Sequence, residues 1–374
     1  MQTLRLVPTI HYFDTVRDWH EAFPFNENEL VLTNEWLYKP YFKDLGVNLN
    51  VIFQEKYGMG EPTDEMIDAI VKEASQYSYD TIVAFGGGTI IDIGKVLALD
   101  VPERSEDLFM GKVPLKKTKR LVACPTTCGT GSEVTNVAIA ELKSLGIKKG
   151  IAGDETYPDK AVLIPEALHS LPHNVFLTSS IDALIHAIES YLSPKATTFT
   201  ELFSRGAIRR IMQGYKEIMW RGEEARFEHM GDFLTASTFA GIAFGNAGCG
   251  AVHALSYSIG GAFHVPHGEA NYQFFLAVLK LYNRKAPDGK IRRLTELIAE
   301  SFGLYAADTK IVYDTFDAFL SKIIARKPLR EYGMVESQID EFAKSTVENQ
   351  QRLLANNYVP IEEDEFREIF RKLY

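Results

Sequence analysis

The sequence predicts two domains, an α/β domain with a mostly parallel sheet over residues 1–171 and an all-helical domain over residues 172–374. Three observations support this division. Short β-branched segments alternate with helically spaced segments in the first part, as in a parallel sheet covered by helices on both faces. The β-branched segments become rare near residues 165–172. Beyond that point, apolar residues recur at helical spacing.

Strands of the α/β domain are predicted where β-branched and aromatic residues cluster, and helices where apolar residues share one face. The segment 64–76, for example, places Met66, Ile67 and Ile70 together on such a face. In chain order the predicted elements are a strand at 29–33, a helix at 36–43, a strand at 48–53, a helix at 64–76, a strand at 81–85, a helix ending near residue 99, and strands at 120–124, 134–142 and 161–164.

The second domain is predicted to consist of helices joined by loops that contain glycine or proline. The predicted helices are 175–191, 198–220, 226–244, 251–263, 270–282, 290–302, 312–325, 336–343, 347–356 and 364–374.

Composition limits the classes of partner. The formal net charge is −10, which argues against nucleic acid and against an anionic membrane surface. No apolar run approaches the 18 or so residues of a membrane span, and residues 1–14 do not resemble a signal peptide. The chain has three cysteines, few and odd in number, so we expect a protein of the reducing cytoplasm.

Four potential metal ligands stand in the helical domain. Asp182 and His186 are four residues apart, so one helix face presents both. His253 and His267 would complete a shell of three nitrogens and one oxygen, which suits Fe(II) or Zn(II) and disfavours Mg²⁺ or Ca²⁺. Taken singly, Asp182 could cap a helix and each histidine could be a structural core residue. The four together favour a metal site.

A glycine-rich turn follows the predicted strand at 81–85. Gly86, Gly87, Gly88 and Thr89 open a helix, where backbone N–H groups can bind a pyrophosphate. Asp92, one turn further on, could fix this turn or line a cleft. The spacing is not GxGxxG, so a tight strand-to-helix turn without a ligand is the alternative.

A second loop, PTTCGTGSE, follows the predicted strand at 120–124. The hydroxyls of Thr126, Thr127 and Thr130 could bind ribose or phosphate. The alternative is an ordinary polar connection, but ligands of open α/β sheets bind at the carboxyl ends of strands, where both loops lie.

The motifs GGGTIIDIGK, PTTCGTGSEVT, DALIHAIESY, GAVHALSY and PHGEAN together resemble the iron-containing (group III) alcohol dehydrogenases. Further segments, among them QEKYGMGEP, AGIAFGNAG, HVPHGEANY and QQRLLANNY, resemble the 4-hydroxybutyrate dehydrogenase branch of that family. The resemblance implies a Rossmann-like domain that binds NAD, a helical domain that binds Fe²⁺ or alternatively Zn²⁺, and a homo-oligomer, a dimer or larger, of which we expect the dimer.

Site roles follow from the resemblance by position. The metal ligands would be Asp182, His186, His253 and His267. The pyrophosphate would lie on Gly86, Gly87, Gly88 and Thr89, and Thr126, Thr127, Thr130 and Lys149 would lie near the nicotinamide half. Phe244 would place its ring against the nicotinamide or the substrate.

Two positions depart from the family pattern. Where the family often has an aspartate that binds the adenosine ribose, this chain has Asn34, which lacks the charge that repels a 2′-phosphate. Where many members have a histidine proposed to relay protons, this chain has Tyr257. We therefore expect the released proton to pass through Tyr257, His264 or a ribose hydroxyl.

The expected reaction interconverts 4-hydroxybutyrate and succinate semialdehyde by metal-activated hydride transfer. Arg352, Asn356 and Asn357 are candidates to bind the substrate carboxylate, with Lys327 and Arg330 as second choices. Three alternatives stay open at this point: an NAD(P)-dependent dehydrogenase of neutral primary alcohols or diols, a lyase that uses NAD transiently, and a non-catalytic sensor of metal or nucleotide.

Overall fold

The computed structural model describes residues 2–305 and 308–374. These residues form two compact units. Leu6–Pro172 form an α/β unit with a parallel sheet, and His173–Tyr374 form a helical unit, so the predicted fold class is confirmed. Residues 2–5 belong to the helical unit, and not to the α/β domain in which the predicted range 1–171 placed them.

The α/β unit alternates strands and helices along most of its length. Its elements are β1 (Thr9–Tyr12), α1 (Val16–Ala22), β2 (Glu29–Thr33), α2 (Glu35–Tyr41), β3 (Asn50–Phe53), α3 (Asp64–Ala74), β4 (Thr81–Gly86), α4 (Gly88–Leu97), α5 (Glu106–Phe109), β5 (Arg120–Pro125), β6 (Val137–Leu142), β7 (Ile147–Ala152) and β8 (Lys160–Leu163).

Six strands form one sheet in the order β1-β8-β5-β4-β2-β3, and every neighbouring pair is parallel. The carboxyl ends of all six strands therefore lie at one edge. The chain passes from β2 outward to β3 and returns to the other side of β2 as β4. Such a reversal of strand order creates a crevice at the carboxyl ends, where open α/β sheets bind ligands.

The central strands are buried on both faces, which explains their continuous apolar sequences. Helix α4 packs closely on β4 because Gly94 has no side chain. A Cβ at Gly94 would lie 2.8 Å from the Cβ of Ala84. The amino end of α3 is capped by Thr63, whose hydroxyl accepts a hydrogen bond from the N–H of Met66 at 3.1 Å.

The sequence predictions omit two strands, β1 and β7, and make two others too long, at 48–53 and 134–142. β1 is an edge strand with mostly exposed residues, and β7 is exposed along most of its length. β7 pairs with β6 in a separate antiparallel sheet, so the predicted strand at 134–142 is not part of the main sheet. Its first residue lies instead in a 3-10 turn, Ser132–Val134.

The helical unit is built from α6 (His173–Leu192), α7 (Thr198–Arg221), α8 (Met230–Ala247), α9 (Ala251–Phe263), α10 (His267–Lys285), α11 (Lys290–Phe302), α12 (Thr309–Ile323), α13 (Gln338–Asn349), α14 (Gln351–Leu354) and α15 (Glu363–Leu373). Helix α6 is buried continuously from Ser180 to Leu192 and contacts α7, α8 and α10. Among the residues that the structure describes, no helix has both the length and the apolar character that a membrane span requires.

Several helix boundaries differ from the prediction. Helix α10 begins at His267, directly after Pro266, and not at residue 270, since a proline is tolerated where a helix starts. The segment predicted as a helix from residue 226 begins with a 3-10 turn, Glu223–His229. Near the carboxyl end, the helical conformation is interrupted at Gln350, between α13 and α14, and not at residues 344–346 as predicted.

Candidate metal and cofactor sites

The structure brings the four predicted metal ligands together. One ligand atom from each of Asp182, His186, His253 and His267 lies within 4.8 Å of those of the others. Helix α6 supplies the first two from one face, α9 supplies His253, and the first residue of α10 is His267. The first three are buried and His267 is partly exposed, so solvent reaches the cluster from the side of His267.

A glycine allows the two ligand-bearing helices α6 and α10 to approach. Gly268 follows His267, and a Cβ on it would lie 1.9 Å from the carbonyl oxygen of Thr178 and 3.1 Å from the Cβ of Asp182. Only a residue without a side chain fits there. The close approach places Nε2 of His267 3.9 Å from Oδ1 of Asp182.

The surroundings of Asp182 favour its charged form. Burial alone would raise the pKa of Asp182, but the three histidines and the amide of Asn271 outweigh burial and lower that pKa below its usual value. Asn271, fully buried on α10, donates from Nδ2 to Oδ1 of Asp182 at 2.7 Å. A carboxylate held in its charged form is ready to bind a cation.

The position of Asn271 tests whether these residues fit a metal ion. Its Nδ2 also lies 3.1 Å from Nε2 of His253 and 3.2 Å from Nε2 of His267. Three of the four ligand atoms therefore face the positive end of an amide dipole, which is the polarity that a cation satisfies. Three imidazoles and one carboxylate match the ligand preference of Fe(II) and Zn(II). The residues fit such a metal.

Glu189 and Cys249 flank His253 on the side away from the cluster. The Glu189 carboxylate lies 2.5 Å from Nδ1 of His253, and its other oxygen accepts from the N–H of Val252 at 2.8 Å. Burial would lower the pKa of His253, but the contacts with Cys249 and Glu189 raise that pKa well above 6.5. Because a carboxylate only accepts hydrogen bonds, Nδ1 carries a hydrogen and Nε2 is the atom directed to the metal site.

Aromatic rings cover part of the cluster. The ring of Phe244 stacks on His186, with centroids 4.3 Å apart and planes inclined by 20°. Tyr257 lies with its ring centroid 6.3 Å from that of His267. Both were singled out in the sequence. Phe244 therefore stands beside the metal ligands, and Tyr257 lies at the partly exposed side of the cluster.

His264 lies apart from these residues. It ends α9 in the left-handed backbone conformation, with φ of 53°, and it is exposed. No hydrogen bond in the described part of the chain joins it to the four ligands. Its predicted part in proton transfer stays a prediction.

The candidates for binding a substrate carboxylate are spread over the helical unit. Arg352 is exposed, and Asn356 is buried with Nδ2 donating to the carbonyl oxygens of Cys249 (2.9 Å) and Arg352 (3.3 Å). The amide of Asn356 thus donates to the loop before α9 and to a carbonyl of α14, which leaves it poorly suited to bind a substrate. Asn357 lies against Gly250 in the same loop. The second choices are engaged elsewhere: Lys327 lies 3.6 Å from Glu269, and Arg330 donates to the carbonyl oxygen of Tyr374.

The two predicted cofactor loops lie side by side in the α/β unit. Gly86 ends β4, Gly87 caps α4, and the loop with the three threonines follows β5, the neighbour of β4. A Cβ at Gly87 would lie 3.2 Å from Thr127, and one at Gly88 would lie 2.9 Å from Thr130. The glycines therefore leave room for the hydroxyl-bearing loop and present the backbone N–H groups that begin α4.

Asp92 and Lys95, both on α4, fix the second of these loops through hydrogen bonds. Oδ1 of Asp92 accepts from the Ser132 hydroxyl at 2.5 Å, and its Oδ2 accepts from the N–H of Ile139 at 3.1 Å. Lys95 is fully buried and donates to Asp92 (3.4 Å), Ser132 (2.5 Å) and the carbonyl oxygen of Val137 (2.6 Å). Of the two roles open for Asp92, the contacts support that of fixing the loop.

Asn34 and Lys149, the other predicted cofactor residues, lie in different parts of the unit. Asn34 follows β2 at the carboxyl edge of the sheet, where its side chain contacts Glu55 at 2.9 Å. Lys149 lies on β7 of the small sheet, with Nζ 3.5 Å from the sulfur of Met110. Thr89 donates from its hydroxyl to the carbonyl oxygen of Gly60 at 2.9 Å.

Sequence reasoning missed Glu189 and Asn271. A signal for each was present. Asp182, His186 and Glu189 stand at i, i+4 and i+7 in the otherwise apolar stretch IDALIHAIE, so they share one face. Asn271 stands four residues after His267, at the spacing that also joins Asp182 and His186.

Two family models match the chain. Residues 24–165 match the model described as iron-containing alcohol dehydrogenase, and residues 176–374 match the C-terminal model of the Fe-containing alcohol dehydrogenase family.

Individual relatives agree with the family models. The chain is 50% identical over 374 residues, the whole of both chains, to 4-hydroxybutyrate dehydrogenase of Clostridium kluyveri. It is 31% identical to long-chain-alcohol dehydrogenase 1 of Geobacillus thermodenitrificans, over 84% of this chain and 80% of that one.

Solved structures share the fold. A sulfoacetaldehyde reductase from Bifidobacterium kashiwanohense in complex with NAD⁺ matches with a TM-score of 0.86 and 23% identity, covering 100% of this chain and 98% of that one. An iron-containing alcohol dehydrogenase from Thermococcus thioreducens matches with a TM-score of 0.82 and 25% identity, covering 100% and 99%. The metal-ligand cluster, both family models and the full-length relative lead to one conclusion: the chain belongs to the iron-containing alcohol dehydrogenase family.

Proposed function

We propose that the protein is a metal-activated, NAD-dependent dehydrogenase that converts 4-hydroxybutyrate and NAD⁺ to succinate semialdehyde, NADH and a proton, and also catalyses the reverse reaction. The observation that carries the proposal is the cluster of Asp182, His186, His253 and His267 in a chain half identical, from end to end, to a 4-hydroxybutyrate dehydrogenase.

Those four residues would hold divalent iron, or alternatively zinc. When bound, such a metal supplies Lewis-acid polarisation of the hydroxyl or carbonyl oxygen of the substrate. Glu189 fixes the ring of His253 so that Nε2 is directed to the cluster. Asn271 keeps Asp182 oriented, and Phe244 covers His186 and keeps water from that face.

In the α/β unit, the N–H groups after Gly87 would bind the pyrophosphate of NAD, which accepts the hydride when bound. The hydroxyls of Thr126, Thr127 and Thr130 would hold the nicotinamide half, and Lys149 is proposed to assist them. Tyr257, at the exposed side of the cluster, is the proposed carrier of the released proton, with His264 as a further step toward solvent.

The proposal is tested by anaerobic turnover. The protein is stripped of metal with a chelator and reloaded with Fe(II) or Zn(II), and NADH formation is followed with 4-hydroxybutyrate, 1-butanol and 1,3-propanediol. We expect metal-dependent turnover that favours 4-hydroxybutyrate at least about tenfold in kcat/KM, equivalent to about 1.4 kcal/mol. Turnover that favours the neutral alcohols would contradict 4-hydroxybutyrate as the substrate and would still support metal-activated hydride transfer.

A pair of variants tests the ligand set independently of turnover. His253→Gln removes a ligand, and His264→Gln makes the same change at the exposed end of the same helix. We expect the first variant to lose bound metal and the second to keep it. Equal metal content in both variants would show that His253 is not a metal ligand.

We further propose a homodimer located in the cytoplasm, acting on small molecules and not on nucleic acid. The three cysteines are buried and form no disulfide in the described part of the chain, which supports a reducing compartment, and the negative net charge argues against nucleic acid. The dimer follows from the resemblance to the family. Sedimentation at two protein concentrations tests the dimer, and a single species of about 42 kDa, the mass of one chain, would contradict it.

A further inference from the structure

Two side chains meet where β2 and β3 end. The strands are parallel with Thr33 opposite Phe53, so Asn34 and the segment Gln54–Tyr57 emerge at the same edge. Nδ2 of Asn34 donates to Oε2 of Glu55 at 2.9 Å and to Oε1 of Gln54 at 3.2 Å. Asn34 is buried, whereas Glu55 is partly exposed.

The carboxylate of Glu55 is fixed from two sides. Its Oε2 accepts from Asn34, and its Oε1 accepts from the backbone N–H of Glu35 at 2.8 Å. Asn34 makes no capping bond with its own side chain, so Glu55 takes the place of that bond. The result is a carboxylate held in one orientation at the carboxyl edge of the sheet, next to a neutral asparagine.

The segment after β3 also contacts the glycine turn. The hydroxyl of Thr89, in the first turn of α4, donates to the carbonyl oxygen of Gly60 at 2.9 Å. β2 lies between β3 and β4, so Glu55 and Gly86–Gly88 stand on either side of the point where the strand order reverses. A dinucleotide that places its pyrophosphate on the glycine turn places its adenosine ribose beside the end of the adjacent strand.

We propose that Glu55 is the residue that selects NAD over NADP. The inference rests on the proposed function. Each carboxylate oxygen has a further lone pair that can accept from a ribose hydroxyl, whereas a 2′-phosphate at the same place would be repelled. The cations nearest in the chain are engaged: Lys39 lies 3.1 Å from Glu35, and Lys56 lies over the ring of Phe53. The charge that excludes the phosphate thus comes from Glu55, while Asn34 holds it in place.

Three variants separate this charge from its surroundings. Glu55→Gln removes the charge and keeps an oxygen that can accept from Glu35. The double variant Asn34→Asp with Glu55→Gln returns a negative charge to the pair, on the other of its two side chains. Glu27→Gln is the matched control, because Glu27 is exposed and precedes β2 at the opposite edge of the sheet.

The measurement is the dissociation constant of NAD⁺ and of NADP⁺ by calorimetry, on metal-loaded protein without substrate. We expect Glu55→Gln to lower the ratio of the NADP⁺ constant to the NAD⁺ constant by about tenfold, since one close charge is removed. The double variant should restore the ratio to within about threefold of wild type, and Glu27→Gln should leave it within about twofold.

A Glu55→Gln protein that binds NAD⁺ with an unchanged ratio would overturn the inference and leave the proposed function intact. A wild-type protein that binds neither dinucleotide would overturn the proposed function itself. If Glu55→Gln does not fold, the double variant provides the test, because it exchanges hydrogen-bond donor and acceptor within the same pair. If the double variant binds NADP⁺ as tightly as NAD⁺, a negative charge in this pair does not exclude the 2′-phosphate.

Discussion

The carboxylate of Glu189 and the imidazole of His253 form a buried pair, with Oε2 2.5 Å from Nδ1. The second oxygen of Glu189 is bound by the N–H of Val252, so the carboxylate is held by both the side chain and the backbone of α9. The pair fixes the ring of His253 before any metal binds. Glu189 therefore has a positioning role, because it orients a metal ligand.

Replacing Glu189 with glutamine should weaken metal binding. The amide cannot hold Nδ1–H as strongly as the carboxylate does, and the ring loses its fixed orientation. We expect a 10–100-fold rise in the metal dissociation constant, measured by competition with a chelator. Glu201→Gln is the control, since Glu201 forms an ion pair with Lys290 on other helices. A change of less than about twofold in Glu189→Gln would contradict the positioning role.

Gly268→Ala should disturb the same cluster through the backbone. Its Cβ would lie 1.9 Å from the carbonyl oxygen of Thr178, so α10 must move away from α6 and carry His267 with it. We expect a loss of about 1–3 kcal/mol or more in the free energy of unfolding, from urea titration, together with weaker metal binding.

The control for that change is Gly261→Ala, on α9, where an added Cβ meets nothing within 4 Å. Alanine favours a helix over glycine, so this variant should be neutral or more stable by up to about 1 kcal/mol. If both alanines had the same effect, the close approach of α6 and α10 would not be what requires Gly268.

Lys95→Met should destabilise the α/β unit and loosen the loop PTTCGTGSE, which Lys95 contacts through Ser132. The methionine fills most of the volume, but Asp92 and the Ser132 hydroxyl lose a buried partner. Removing one member of a buried pair costs about 3–5 kcal/mol; because Asp92 is partly exposed, we expect the lower end, measured by urea unfolding. Burial lowers the pKa of Lys95, so the charge carries a cost of its own. The double variant with Asp92→Asn should therefore recover part of the loss, and a fully additive loss would contradict the pairing.

The cysteines should be unreactive in the folded protein. Cys124, Cys128 and Cys249 are buried, and burial raises the pKa of the thiols of Cys124 and Cys249. Since the thiolate is the reacting form, a thiol reagent at about pH 8 should label fewer than one cysteine in the native protein. In urea it should label all three. Rapid labelling of one native thiol would show that its site opens.

Helices with a strong apolar face could be predicted closely from the sequence. The bounds predicted for α9 and α11 agree with the structure, because the buried face of a helix appears in the sequence as apolar residues at helical spacing. β1 and β7 have no comparable pattern of buried apolar residues in the sequence. Most of their residues are exposed, and they are strands only because a partner, β8 or β6, binds their backbone.

The same difference appears within the metal site. Aspartate and histidine at ligand spacing indicate a metal by their chemistry, so the four ligands could be identified. Glu189 and Asn271 contact ligands and not the metal, and both residue types are common on helices for other reasons. Their roles depend on α6, α9 and α10 meeting, and the sequence does not state which helices meet. The same is true of Asn356, whose amide donates to Cys249 in the loop before α9.

The first residues of the chain have partners that are made much later. Arg5 exchanges two hydrogen bonds with Asn246, at 2.7 and 2.9 Å, across 241 positions of the chain, and Gln2 accepts from the N–H of Thr198. During synthesis, Gln2 and Arg5 are made before the α/β unit, and their partners Thr198 and Asn246 are made after it. The whole α/β unit thus lies between these residues and their partners in the chain, so the helical unit is assembled from two segments that are far apart in sequence.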